Sequence, residues 1–170
     1  MSAAVFVQSP TTRFYLRQAH ADDLPAINGI IERAIATWQL SERVKRLSLP
    51  SYRYHAYDLV HLHLVVVEDA DHVLVGVAGW EPSNPHDLPA GKNGLLLHGL
   101  YVDPVHQHRG VGSQLLDAAA AAARTQDFDG VLVKAQADAS GFFEACGLQR
   151  LPVEDTARHY PHRFWVAAHH

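Results

Sequence analysis

Cysteine is nearly absent: Cys146 is the single thiol in 170 residues. That excludes an intramolecular disulfide framework and a cysteine-based zinc site, and it fits a reducing compartment, so the cytoplasm is the expected location. Positive charge is also scarce. Fourteen Lys+Arg stand against eighteen Asp+Glu, a formal charge of -4 with neutral histidines, and a phosphate-backbone footprint is missing, so nucleic acid is not an expected partner. Long apolar runs are absent as well: nowhere do roughly 18 apolar residues follow one another, and MSAAVFVQSPTTRF lacks a basic start ahead of an apolar core. No membrane partner is expected. The length and the 48% hydrophobic content suit one domain over residues 13–170, behind a small, polar, flexible arm at 1–12. Histidine is what the chain has in excess. Thirteen of them leave open metal binding, pH sensing, proton transfer or plain solvated loops.

The apolar spacing predicts a short strand at Phe14–Arg17. Asp22 or Asp23 should cap a helix with Pro25 in its first turn, and Leu24, Ile27, Ile30, Ile31, Ala34 and Ile35 carry that helix to about Trp38. From Glu42 to His61 a less regular helical stretch is expected, interrupted at Pro50 and rich in tyrosine. Leu62–Glu68 and Val73–Trp80 read as an antiparallel hairpin across Asp69–His72. Glu81 to Gly94 reads as a loop on its prolines and glycines. Leu95–Val102 is a strand stopped by Asp103-Pro104, and Gln107–Gly112 opens a helix whose six consecutive alanines favour that state. Val131–Ala135, Leu148–Val153 and Arg163–Ala167 are further strands, and Ala139–Cys146 is a short helix closed by Gly147. The alternation gives an α/β (α+β) fold around a mixed sheet.

Residues 95–116, LLLHGLYVDPVHQHRGVGSQLL, carry the chemistry. Gly110 and Gly112 allow a tight turn and close ligand approach, and the free N–H groups of a new helix with its positive dipole end suit a diphosphate. A P-loop is excluded by the missing Gly-Lys-Ser/Thr ending, and a dinucleotide fingerprint by the missing third glycine.

The surrounding residues resemble the GCN5-related N-acetyltransferase superfamily. Its Gln/Arg-x-x-Gly-x-Gly/Ala motif after a Val-x-Pro turn is matched by Gln107, Gly110 and Gly112, with Val102 and Pro104 upstream. Its second signature, Ala-x-x-Phe-Tyr-x-x-x-Gly-Phe, is matched by Ala139, Phe142, Phe143, Gly147 and Leu148. The resemblance implies a twisted mixed sheet flanked by helices and splayed between strands 4 and 5, with acetyl-CoA as co-substrate. It further implies that Leu100, Tyr101 and Val102 bond the pantetheine arm. Backbone amides of His108, Arg109, Gly110, Val111, Gly112 and Ser113, beside Gln107, would hold the pyrophosphate, and Ala139, Phe142 and Phe143 would line the thioester side.

A free alkyl amine titrates near about 10, so acetyl transfer at neutral pH needs a proton acceptor. His98 is the first candidate: with period two it should share a face with Leu96, Leu100 and Val102. Arylalkylamine N-acetyltransferases, within the same superfamily, have a histidine at the matching place, although Leu96 stands where they have a second one. Glu81 is the rival base, directly or through water. The family's usual acid is the tyrosine of its Phe-Tyr pair, and Phe143 stands there, so CoA leaves as a thiolate or is protonated by Tyr160 or a water. Cys146 reads as buried filler. Trp38, Tyr52, Tyr54 and Tyr57 are either core or an aromatic wall for the acceptor, and His159 and His162 are second-tier cleft candidates.

The expected reaction is direct transfer of acetyl to the primary amine of a small molecule. A catalytically weak acyl-CoA-binding module and a protein or peptide N-acetyltransferase are the alternatives, and a homodimer stays open. His61/His63 and His106/His108 lack a third ligand with zinc spacing, so no metal is expected; His169 and His170 carry no assigned role.

Overall fold

Seven strands form one sheet in the order β1-β2-β3-β4-β5-β7-β6 in the computed structural model, which describes residues 13–157 and 159–169. The expected arm at 1–12 and His170 lie outside the described residues. The strands are β1 (Tyr15–Gln18), β2 (His63–Glu68), β3 (Leu74–Pro82), β4 (Gly94–Val102), β5 (Gly130–Lys134), β6 (Gln149–Arg150) and β7 (Arg163–Ala167). Every neighbouring pair is antiparallel except β4 and β5, which are parallel and joined through a helical crossover. The helices are α1 (Leu24–Ala36), α2 (Glu42–Tyr52), α3 (Ala56–His61), α4 (Val111–Thr125) and α5 (Ser140–Ala145).

Two apolar layers follow from this order. On one face, Ile27, Ile30, Ile31 and Ile35 of α1 pack with Leu64, Val66, Val77 and Tyr101. On the other, Val111, Leu115 and Ala119 of α4 and Phe143 of α5 pack with Val65, Val75, Leu95 and Leu97. Each isoleucine of α1 is fully shielded, and truncating such a side chain to alanine costs about 2–5 kcal/mol.

Several local expectations change. Asp23 precedes α1, but its carboxylate accepts from Arg17 (2.8 and 2.9 Å) and from the His20 N–H (2.7 Å) rather than capping that helix. Pro50 does not interrupt α2. It lies on an exposed side near the C-terminus, where a missing N–H costs one intrahelical bond. The break comes at Arg53–His55, because Tyr54 is clamped by Asn28: its N–H donates to Asn28 Oδ1 and its carbonyl accepts from Asn28 Nδ2, both at 2.8 Å. Glu81 is not in a loop. It lies inside β3 and pairs with Leu96, as Pro82 does with Leu95. Strand β6 is only Gln149–Arg150, shorter than Leu148–Val153.

The register between β3 and β4 steps once: Gly79 pairs with Gly99 but Trp80 pairs with Leu97, leaving His98 as an extra residue. This β-bulge breaks the period-two face. Leu97, Leu100 and Val102 all pack toward α4, whereas His98 contacts Tyr54 on the α1 side. The expected grouping of His98 with Leu100 and Val102 is therefore corrected; of the three, Leu96 alone stays on its side. Pairing of β4 with β5 ends at the same point, covering only Gly94–Leu97 against Gly130–Val133. Beyond Leu97 the two strands part.

Candidate active site

A cleft of about 1070 Å³ opens where β4 and β5 separate. At one end lies the turn from β4 into α4. Asp103, buried, accepts from Arg33 Nη2 (2.7 Å) and Nε (3.1 Å) and receives the Val105 N–H at 3.4 Å, which fixes the start of that turn. His108 (φ 62°) and Gly110 (φ 84°) then take left-handed backbone conformations that curl the chain into the first turn of α4. Among the described residues, the N–H groups of residues 108–113 meet no acceptor. Six unpaired donors at a helix N-terminus form an anion cradle. A Cβ on Gly112 would lie 2.9 Å from the Phe142 ring, so only glycine keeps that wall open.

The expected donor-site residues lie around this space. Leu100, Tyr101 and Val102 line the cleft on the β4 side, and Gln107, His108 and residues 110–113 line the cradle. Ala139, Phe142 and Phe143 line the opposite wall, with Phe143 buried against Phe164 at 5.7 Å between ring centroids. Arg109 is exposed and is not part of the lining. Cys146 is not core filler: it is half-buried, lines the cleft and sits 3.8 Å from Ser113 Oγ.

At the other end, His98 reaches the cleft from the bulge, with its Nδ1 3.2 Å from Tyr54 Oη. Tyr54 is 2% exposed, and burial raises its phenol well above the usual range, so the hydroxyl keeps its proton. Among the described residues His98 Nδ1 is its one hydrogen-bond partner. The proton therefore goes to Nδ1, and a neutral ring carries its own hydrogen on Nε2. Gly99 makes this fit possible, because a Cβ there would come within 2.5 Å of the Tyr54 hydroxyl oxygen. Glu81 stands on the same side of the sheet, diagonal to His98, and its charge adds to the rise at Tyr54. It does not itself line the cleft.

Tyr160 also lies outside the lining, exposed, with Lys134 Nζ 5.7 Å from its ring centroid. His159 and His162 are not brought into the cleft: His159 Nδ1 receives the N–H groups of Glu154 and Asp155, and His162 Nδ1 faces Arg150. His61 ends α3 against Tyr57 while His63 begins β2 against Trp80, so the two do not share a strand face. Among the described residues no cluster of three potential metal ligands forms, and no helix is long and apolar enough to cross a membrane. Trp38 stands edge-on to Tyr52 (5.3 Å), whose hydroxyl oxygen accepts from Gln136 Nε2 at 2.8 Å. His106, weighed from the sequence only as a metal ligand, lines the cleft, and so do Lys134 and Gln136, which the sequence did not single out. Nothing in the local pattern marks Lys134 and Gln136; the end of β5 brings them there.

The family model described as the acetyltransferase (GNAT) family matches residues 32–148. The chain belongs to that family. Solved GNAT-like structures share its fold. PaiA N-acetyltransferase from Thermoplasma acidophilum, solved with coenzyme A, is 15% identical, with 91% of this chain and 99% of that one covered at a TM-score of 0.71. A GNAT acetyltransferase from Brucella melitensis, solved with acetyl-CoA, is 18% identical over 91% and 88% of the two chains, with a TM-score of 0.61. A GNAT-family structure from Desulfovibrio desulfuricans gives 17%, 92%, 99% and 0.65. No curated protein matches the sequence. The acetyltransferase thus has the mixed sheet, the parallel β4–β5 pair and the splay that its motifs imply.

Proposed function

We propose that this acetyltransferase moves the acetyl group of acetyl-CoA directly to the primary amine of a small molecule. The observation that carries the reading is the alignment of an unpaired amide cradle, residues 108–113, with a cleft running between the parted strands to His98. The chemistry of the donor set fits: six N–H groups suit an anionic pyrophosphate without buried countercharges. The groove beside Leu100–Val102 offers unpaired strand backbone to an amide-bearing arm.

The amine nitrogen forms a bond to the acetyl carbon as the carbon–sulfur bond breaks. Its proton passes through water to Glu81, the carboxylate on the acceptor side of the sheet. His98, whose Nδ1 is taken by Tyr54, gives its Nε2–H to the acceptor molecule and so orients it. That reverses the expected order of the two candidates. Sulfur leaves as a thiolate, tolerable because a thiol titrates near about 8.5; Phe143 has no hydroxyl, and Tyr160 lies outside the cleft lining.

The test is release of CoA from acetyl-CoA across a panel of small primary amines, beside a thermal shift with acetyl-CoA. Stabilisation by acetyl-CoA with amine-dependent release supports the reading. Stabilisation without release by any amine favours a binding module, and no stabilisation removes both.

A further inference from the structure

Three side chains at the acceptor end of the cleft, Tyr52, Lys134 and His98, have donors to spare. Tyr52 Oη already accepts from Gln136, and burial raises its phenol so that it stays protonated; its own O–H meets no acceptor among the described residues. Lys134 spends one N–H on Asp87 Oδ2 at 3.1 Å and has donor capacity left. His98 adds the Nε2–H fixed by Tyr54. The lining holds one carboxylate, Asp138, at the exposed lip, where its Oδ2 accepts the Gln39 N–H at 2.8 Å. Trp38 and Tyr52 supply an apolar wall alongside.

Donors left unmatched in a part-buried site cost binding energy, and a ligand that brings acceptors recovers it. A second ammonium on the acceptor would face Lys134, and the one carboxylate in the lining, Asp138, stands at the exposed lip and already accepts the Gln39 N–H. We infer that the amine taken here carries its own anionic oxygen group, in the simplest case a carboxylate, on an apolar body: an amino-acid-like acceptor rather than a polyamine. Tyr52, Lys134 and His98 are the residues that select it. This inference rests on the acetyl-transfer reading above.

The experiment compares matched amines that differ by the carboxylate alone: phenylalanine with phenethylamine, tryptophan with tryptamine, and leucine with isoamylamine, with spermidine alongside. The readout is kcat/KM for CoA release. At least one carboxylated member should exceed its partner by about tenfold, chiefly through KM. Lys134→Met and Tyr52→Phe should each shrink that ratio, and Lys134→Arg should restore it. Acetyl-CoA stabilisation retained in each variant shows that it is folded. If no pair favours the carboxylate, if spermidine is preferred, or if both variants slow the two members of a pair equally, the inference is overturned while acetyl transfer stands. If acetyl-CoA binds but no amine promotes release, the acetyl-transfer reading itself falls.

Discussion

Tyr54 Oη and His98 Nδ1 lie 3.2 Å apart across the gap between the α2–α3 connection and the one extra residue of β4. The clamp from Asn28 on both polar backbone atoms of Tyr54 makes that ring a fixed donor rather than a mobile one. His98→Gln, which keeps an amide N–H near the place of Nε2, should retain kcat/KM within about tenfold of wild type, whereas His98→Ala should lose about a hundredfold. Steady-state rates at neutral pH decide it. Equal losses in the two variants would return the proton-acceptor role to His98.

Glu81→Gln should keep acetyl-CoA binding and lower turnover at neutral pH by about 10²–10⁴-fold. The deficit should narrow as the pH approaches the amine's own pKa, near about 10, because the free base then no longer needs an acceptor. A pH–rate profile of the two proteins measures this.

Gly112→Val places a branched side chain where even a Cβ sits 2.9 Å from Phe142. Acetyl-CoA binding should disappear, seen by calorimetry as loss of the titration heat. Melting without ligand should change less than binding, because position 112 faces the cleft rather than either apolar layer.

Asp23 links β1 to α1 through Arg17, which also reaches Glu68 on β2 at 3.2 Å. The bonds from Arg17 hold the Asp23 carboxyl below its ordinary value. A depressed carboxylate adds stability that is present above the unfolded pKa, about 3.9, and is lost as the pH falls through the lower folded value. Asp23→Asn should therefore cost about 1 kcal/mol at pH 7. That difference should shrink below the unfolded pKa and close once the pH is under the lower folded value. Urea midpoints of both proteins at pH 7 and in acid give the comparison.

The donor half of the site was legible because its requirements are local. Gln107, Gly110 and Gly112 must be contiguous to curl a helix start around an anion, and Ala139, Phe142 and Phe143 repeat at helical spacing against it. The acceptor half was not. His98 could be placed on β4 but not on its true face, since the bulge arises from pairing with β3 and leaves no mark in the spacing of LLLHGLYV. Tyr54 stood among four aromatics of equal standing, and its clamp comes from Asn28, which shares no motif with it. Lys134 and Gln136 enter the cleft because β5 ends where β4 turns away.

That parting of β4 from β5 has a further consequence for what the enzyme admits. Neighbouring strands sit about 4.7–4.9 Å apart, and an open strand edge ordinarily invites another chain to pair with it. Here the unpaired stretch of β4 beyond Leu97 is recessed between the α1–α3 layer and the α4–α5 layer. A second sheet cannot reach it, but a single linear molecule can. If the donor binds as proposed, the gap acts as a gauge for width before any side chain reads chemistry: a thin, amide-bearing chain fits it and a folded one does not.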